Sequence, residues 1–187
     1  MVQRIELSQA FKITTIVFSV VHFVLMLICL IQIGREVSVT VRIVELYTGN
    51  INNDYYVETT MKSSAVFPFF NGIVLMVFAF LPYTPFPIVS CILSVLETIL
   101  FIVGLSRVFT VTGSTNFDRL CNAAENAASS YIGRDREFLE CWPKYRSILH
   151  TNIFFCFVGM GFSIATIVIM VLIFRRHMRG GDFIASF

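Results

Sequence analysis

Four stretches of the sequence lack the polar spacing of a water-soluble fold. Ile13 to Ile33 is 21 residues without a formal charge, and Ser63 to Tyr83 is another 21. Phe86 to Leu105 is 20 residues with the single charge of Glu97, and Ile153 to Phe174 is 22 with none. A helix needs about 20 apolar residues to cross a hydrocarbon layer ~30 Å thick. The pattern therefore predicts four membrane spans, at 13–33, 63–83, 86–105 and 153–174. Pro68 interrupts the second. A helix starting only there would run about 14 residues, or ~21 Å, too short to cross. A kinked helix starting near Ser63 is the expectation. The first run exceeds a typical signal-peptide core, and "IQIGREVSV" after it has no A-x-A pattern, so it is read as a permanent span.

The fold expected is an all-α transmembrane four-helix bundle with both termini on one side. "LPYTPFP" holds three prolines and no charge and makes a tight hairpin between spans two and three. Residues 34–62 and 106–151 are then the two larger loops, opposite the termini. Residues 1–12 form a short polar leader and 175–187 a basic tail. Arg4, Lys12, Arg175, Arg176 and Arg179 flank the membrane on the terminal face, and the acids of the loop face offset its basic residues. The positive-inside rule then favours cytoplasmic termini and extracytoplasmic loops. Trp142 and Tyr145, just before span four, suit an interfacial aromatic belt.

The loops differ in texture. In "VSVTVRIVEL", Val37, Val39, Val41 and Ile43 alternate with Ser38, Thr40 and Arg42, the period of a strand. With turn-rich "YTGNINND" and a return through "YYVETTM", this predicts a small β-hairpin. The competing expectation is that the first helix continues past the membrane. The second loop contains "CNAAENAASSYIGRDREFLEC". Cys121 and Cys141 are the two cysteines outside spans and share this loop, whereas Cys29, Cys91 and Cys156 read as small packing residues. In an oxidising compartment the two would pair as a disulfide, stabilising the loop by roughly 3 kcal/mol in the chain-entropy model. Two free thiols are the alternative. No N-x-S/T sequon occurs.

Two spans carry matched polar stripes. Thr15, Ser19, His22, Met26 and Cys29 lie at the same offsets as Ser90, Ser94, Glu97, Phe101 and Gly104, within about 40° of one line down a helix. Such faces turn toward other helices in a membrane. His22 lies about 14 Å and Glu97 about 17 Å into spans that run the same way, so both approach the midplane. A charge there costs at least ~2.5 kcal/mol, so Glu97 needs a partner or a proton, and His22 is the best candidate. The pair reads as packing, as a contact to a partner subunit, or as an ion or proton path. Gly159 with Ser163, and Gly161 with Ala165, make small-xxx-small pairs suited to close helix contact, and Asn71 and Gly72 could serve similarly.

Composition agrees with the pattern: 56% of residues are hydrophobic, 20 are phenylalanine and 14% are charged, against about a quarter charged in soluble domains. The net charge of +2, without a basic block, gives no nucleic-acid footprint. No P-loop, GxSxG, HExxH or CxxC occurs. His22, His150 and His177 fall in three different compartments of this topology, so no metal centre, cofactor or enzymatic activity is expected. The apolar C-terminus after Gly180–Gly181 is either a tail or a segment read by a partner.

The layout resembles the MARVEL-type tetraspan family. The shared elements are the short polar N-terminus, four spans, the tight 2–3 hairpin, the span-three acid Glu97, the last outer loop with Cys121 and Cys141, "CWPKYR" at its exit, and the basic tail. In that family the span-one residue matching such an acid is often basic, and His22 takes its place. The first loop lacks the tryptophan and cysteine pattern of claudins, and the CCG of tetraspanins is missing. The resemblance covers about residues 5 to 178. It implies a non-enzymatic protein that organises membrane domains or vesicles, or accompanies a larger membrane complex. Its expected partners are the lipid bilayer and other membrane proteins or further copies of itself. Its expected location is the plasma membrane or a secretory or endocytic vesicle membrane. A small channel or transporter subunit using Glu97 is the alternative function.

Overall fold

The computed structural model describes residues 3–48, 65–112 and 115–184. These form helices α1 (Gln9–Thr48), α2 (Val66–Phe80), α3 (Pro85–Thr112) and α4 (Thr115–Ala127), a 3₁₀ turn (Ala128–Ser130), and α5 (Arg134–Ile184). α1, α3 and α5 are each long and apolar enough to cross a membrane, as in a multi-pass integral membrane protein. α2 is apolar but has 15 residues, about 22 Å at 1.5 Å per residue. That is shorter than the expected span 63–83. Pro68 is the third residue of α2, in the first turn, where a missing N–H breaks no helical bond, so it needs no kink.

The chain divides into two compact units. The first comprises Met1–Ile28, Ser63–Phe101 and Val158–Phe187, and the second Cys29–Lys62 and Ile102–Phe157.

In the first unit one end is closed by the residues preceding α1. Arg4 forms an antiparallel bridge with Tyr83. The Ile5 N–H donates to the Pro82 carbonyl at 2.6 Å, and the Thr84 N–H donates to the Gln3 carbonyl at 2.9 Å. The polar leader is thus a short strand-like strap on the α2–α3 turn. Pro82 has no N–H and only accepts, and Pro85 opens α3 where proline is preorganised for a first helical residue. Ile5 anchors the strap in a core with Leu75, Phe78, Met170 and Ile173. Lys12 lies over the Phe80 ring and Arg176 over the Phe11 ring. These contacts bring the start of α1, the end of α2, the start of α3 and the Arg176 region of α5 to one end of the unit. Away from the core, Val17, Val20, Val24, Ile92, Val95 and Val168 are exposed, as side chains in contact with lipid would be.

The second unit corrects the hairpin reading of the first loop. α1 runs on to Thr48, so Val37 to Ile43 is helix and not the first strand of a hairpin. The return strand falls in residues 55–61, outside the described residues. Burial explains the outcome. Val37, Val39, Val41 and Ile43 are all only partly buried, so the alternation presents no buried strand face. The buried positions are Cys29, Gln32 and Glu36, at helical spacing, and extending a formed helix costs far less than nucleating new structure. The stretch expected as a loop at 106–151 is also largely helical. It holds the end of α3, α4, a turn at Gly133 with φ 69°, and the first turns of α5. That φ lies in the left-handed region, where glycine carries no Cβ penalty.

Cys121 and Cys141 are unbonded thiols, both buried, and the expected disulfide is absent between them. The Cys121 thiol instead donates to the Trp142 carbonyl at 3.7 Å. The clamp between α4 and α5 is a guanidinium: Arg146 donates to Asn122 Oδ1 at 2.7 Å and to Glu125 Oε2 at 3.3 Å. Burial pushes the Cys121 thiol up from its ordinary pKa, which makes the reactive thiolate scarcer at neutral pH. Maleimide modification of Cys121, followed by peptide mass spectrometry, is therefore expected to be several-fold slower in the folded chain than in denaturant. Raising the pH should speed it, and equal rates in the two states would contradict the burial.

Candidate functional site

Four helices of the first unit each aim a polar side chain at one point. α1 supplies His22, α2 Asn71, α3 Ser90, Ser94 and Glu97, and α5 Ser163, all buried. Helical periodicity places them. Thr15, Ser19, His22 and Cys29 are buried on α1, with Leu25 in the place expected for Met26, and Ser90, Ser94, Glu97, Phe101 and Gly104 are buried on α3. Side chains three or four residues apart share one helix face, so each stripe reaches the interior as a unit.

His22 Nε2 lies 3.2 Å from Glu97 Oε2, with both side chains fully excluded from solvent. His22 Nδ1 lies 2.8 Å from the Phe18 carbonyl. A carbonyl only accepts, so Nδ1 carries a hydrogen. Asn71 connects the remaining members: its Nδ2 is 3.2 Å from His22 Nε2 and donates to Ser94 Oγ at 2.8 Å. Ser90 Oγ donates to Asn71 Oδ1 at 2.8 Å. The Ser163 hydroxyl lies 2.7 Å from Glu97 Oε2 and 3.0 Å from the Gly159 carbonyl. Glu97 Oε1 is buried and accepts no hydrogen bond among the described residues. Ser19 donates to the Gly72 carbonyl at 2.7 Å, tying α1 to α2 beside the cluster.

The Nε2–Oε2 contact is thus a polar contact between an imidazole and a carboxyl group, shielded from water on all sides.

The small residues expected to mediate packing divide. A Cβ at Gly159 would fall 2.4 Å from the Phe101 ring, so this glycine is a close contact between α5 and α3. A Cβ at Gly161 would meet nothing within 4 Å, so Gly161 makes no such contact. Cys121 and Cys141 lie in the other unit. Among the described residues no three His, Cys, Asp or Glu side chains converge as a metal site.

Two polar centres were illegible at the level of motif. Asn71 is the hub of the cluster, and its signal was that it is the sole polar side chain of α2. Glu36, in the second unit, is fully buried and accepts from Asn152 Nδ2 at 3.1 Å. Its signal was the continuation of the α1 stripe through Cys29, Gln32, Glu36 and Thr40.

Comparison with known proteins adds no relative: the chain matches no protein family, no curated protein and no solved structure.

Proposed function

We propose that this chain is a membrane-embedded scaffold of the MARVEL-type four-span layout, acting without catalysis. It associates laterally with other membrane proteins or with further copies of itself, to organise a membrane domain or accompany a larger complex. One observation carries the proposal. The polar groups of the apolar helices are directed at one another inside the first unit, while aliphatic and aromatic side chains are left on the outside. Helices in lipid associate through packing and interhelical hydrogen bonds, and this arrangement consumes the hydrogen bonds internally and leaves the packing surface for a partner.

Chain continuity supports α2 as the fourth passage. The starts of α1 and α3 lie at the same end of the first unit, so the chain must return between them, and α2 is what returns. A helix somewhat short for the bilayer is accommodated by local thinning at modest cost. Arg4, Lys12 and Arg176 belong to that same end, which favours a cytoplasmic assignment for it. The plasma membrane or a secretory or endocytic vesicle membrane fits this reading.

The second reading, a channel or transporter subunit working through Glu97, draws on Glu97 Oε1, which is buried and takes no hydrogen bond among the described residues. Two measurements separate them. Solubilisation of native membrane in a mild detergent, followed by affinity capture and mass spectrometry, is expected to yield a stoichiometric membrane partner or a discrete homo-oligomer. Reconstitution into liposomes is expected to give no ion or proton flux above empty vesicles. Flux that disappears in Glu97→Gln would replace the scaffold reading with the second.

A further inference from the structure

Beside the strap, the first unit carries a cavity of about 600 Å³ lined by Arg4, Glu6, Lys12, Ala79, Phe80 and Pro82. That volume is within the range of small-ligand sites, about 300–1,000 Å³. The strap builds one wall by alternation. Ile5 is buried in the core, while Arg4 and Glu6 on either side of it are exposed, because successive side chains of an extended segment point to opposite faces. Lys12 comes from the first turn of α1 and reaches the end of α2, where its ammonium stands 5.3 Å from the centre of the Phe80 ring.

The cavity therefore holds two cations and one acid. None of the three forms an ion pair among the described residues. In the second unit the pattern is different: Arg42 is paired with Glu45 and Glu137, Arg136 with Glu140, and Arg146 with Glu125. Arg4, Glu6 and Lys12 instead present their charges to whatever enters.

Position narrows what enters. Lys12 immediately precedes the uncharged run from Ile13 to Ile33, so the cavity lies at the edge of the hydrocarbon layer. Ile13, Phe80 and Leu81 beside it are 54%, 61% and 53% exposed, an apolar surface along which an acyl chain can lie. The occupant thus has a charged head and an apolar tail. On the cytoplasmic assignment of this end, the anionic lipids at hand are phosphatidylserine and phosphatidylinositol. Phosphatidylserine carries the complementary set: a phosphate and a carboxylate for two cations, and an ammonium for one acid. Phosphatidylinositol has no cation for Glu6, and phosphatidylcholine has one anion for two cations.

We propose that this cavity binds the headgroup of phosphatidylserine, with the phosphate on Lys12, the serine carboxylate on Arg4 and the ammonium on Glu6. Lys12 takes the phosphate because it is the cation next to the apolar run, and the phosphate is the headgroup charge closest to the acyl chains. The guanidinium of Arg4 matches a planar carboxylate with two parallel N–H donors. Glu6 supplies discrimination, since it gains nothing from a lipid without an amine. The choice of phosphatidylserine rests on the cytoplasmic reading of this end.

The test uses the full chain in mild detergent, mixed with equal amounts of phosphatidylserine, phosphatidylglycerol and phosphatidylcholine of identical acyl chains and read by native mass spectrometry. Several-fold more phosphatidylserine than phosphatidylglycerol is expected on the protein, and least phosphatidylcholine. Arg4→Gln with Lys12→Gln is expected to lose both anionic lipids several-fold. Glu6→Gln is expected to equalise the two by lowering phosphatidylserine alone. Free glycerophosphoserine in excess is not expected to displace the lipid, because it lacks the chains that lie along Phe80. The order of retention in the unaltered chain stands even if a variant fails to fold. Equal retention of the three lipids, phosphatidylglycerol held as well as phosphatidylserine, a ratio unchanged in Glu6→Gln, or displacement by the free headgroup would each overturn the proposal. Detergent solution has no leaflets, so such a failure counts against this site and leaves the scaffold reading and the orientation of the chain to their own tests.

Discussion

Asn71→Leu is expected to destabilise the protein more than any single change to a serine of the same cluster. The amide bonds His22, Ser94 and Ser90 at once, so its removal orphans one acceptor on α1 and unsettles two hydroxyls on α3. Interhelical hydrogen bonds in membranes are worth about 0.6 kcal/mol on average and up to about 1.7, which puts the loss of three at roughly 2–5 kcal/mol. Leucine fills a similar volume, so the effect reports lost polar contacts and not a cavity. Unfolding of the purified chain in mild detergent, titrated with a denaturing detergent, measures it. Ser90→Ala, which removes one bond, is the comparator, and a loss in Asn71→Leu no larger than in Ser90→Ala would show that the hub is not energetically central.

Gly159→Leu is expected to be the most damaging change on α5, and Gly161→Leu close to neutral. At Gly159 the first added carbon would already stand 2.4–2.7 Å from three atoms of the Phe101 ring. Phe101 is itself buried and has little room to withdraw. Overpacking of this kind typically costs about 1–3 kcal/mol, with larger side chains at the upper end. The two glycines differ by two positions on one helix, so the comparison holds composition and hydropathy fixed. Adding Phe101→Ala to Gly159→Leu is expected to recover part of the loss, because it vacates the space the leucine needs. The same unfolding titration reads all four chains. If Gly159→Leu and Gly161→Leu lose equal stability, the contact with Phe101 is not what constrains the position.

How much of this was legible follows from what a sequence pattern encodes. Long uncharged runs reveal apolar helices because a bilayer imposes length, and α1, α3 and α5 fall where those runs lie. The polar stripes were legible because a 3.6-residue period repeats over several turns, and they placed His22 and Glu97 on facing sides at matched depth. Asn71 was harder to weigh, since one polar residue in an apolar helix has no period to announce its role. The first loop misled because β-branched residues alternating over seven positions satisfy a strand template locally, while the buried series Cys29, Gln32, Glu36 continues a helix over a longer range. The cysteine pair misled for a different reason: a shared loop implies proximity in sequence and says nothing of whether two sulfurs meet in bonding geometry. Arg146, the residue that does bridge those helices, looked like one of several loop charges.

The strap at residues 3–5 has a consequence for the order of assembly. Gln3 and its partner Thr84 are separated by 81 positions, so during synthesis the strap leaves the ribosome well before its docking site exists. It stays unpaired until α1 and α2 have formed and the turn at Pro82 to Thr84 lies beside the start of α1. The contact therefore closes only after α1 and α2 have formed and packed. A bulky fusion joined close to Gln3 would obstruct that closing step, whereas one joined after α5 would leave it free.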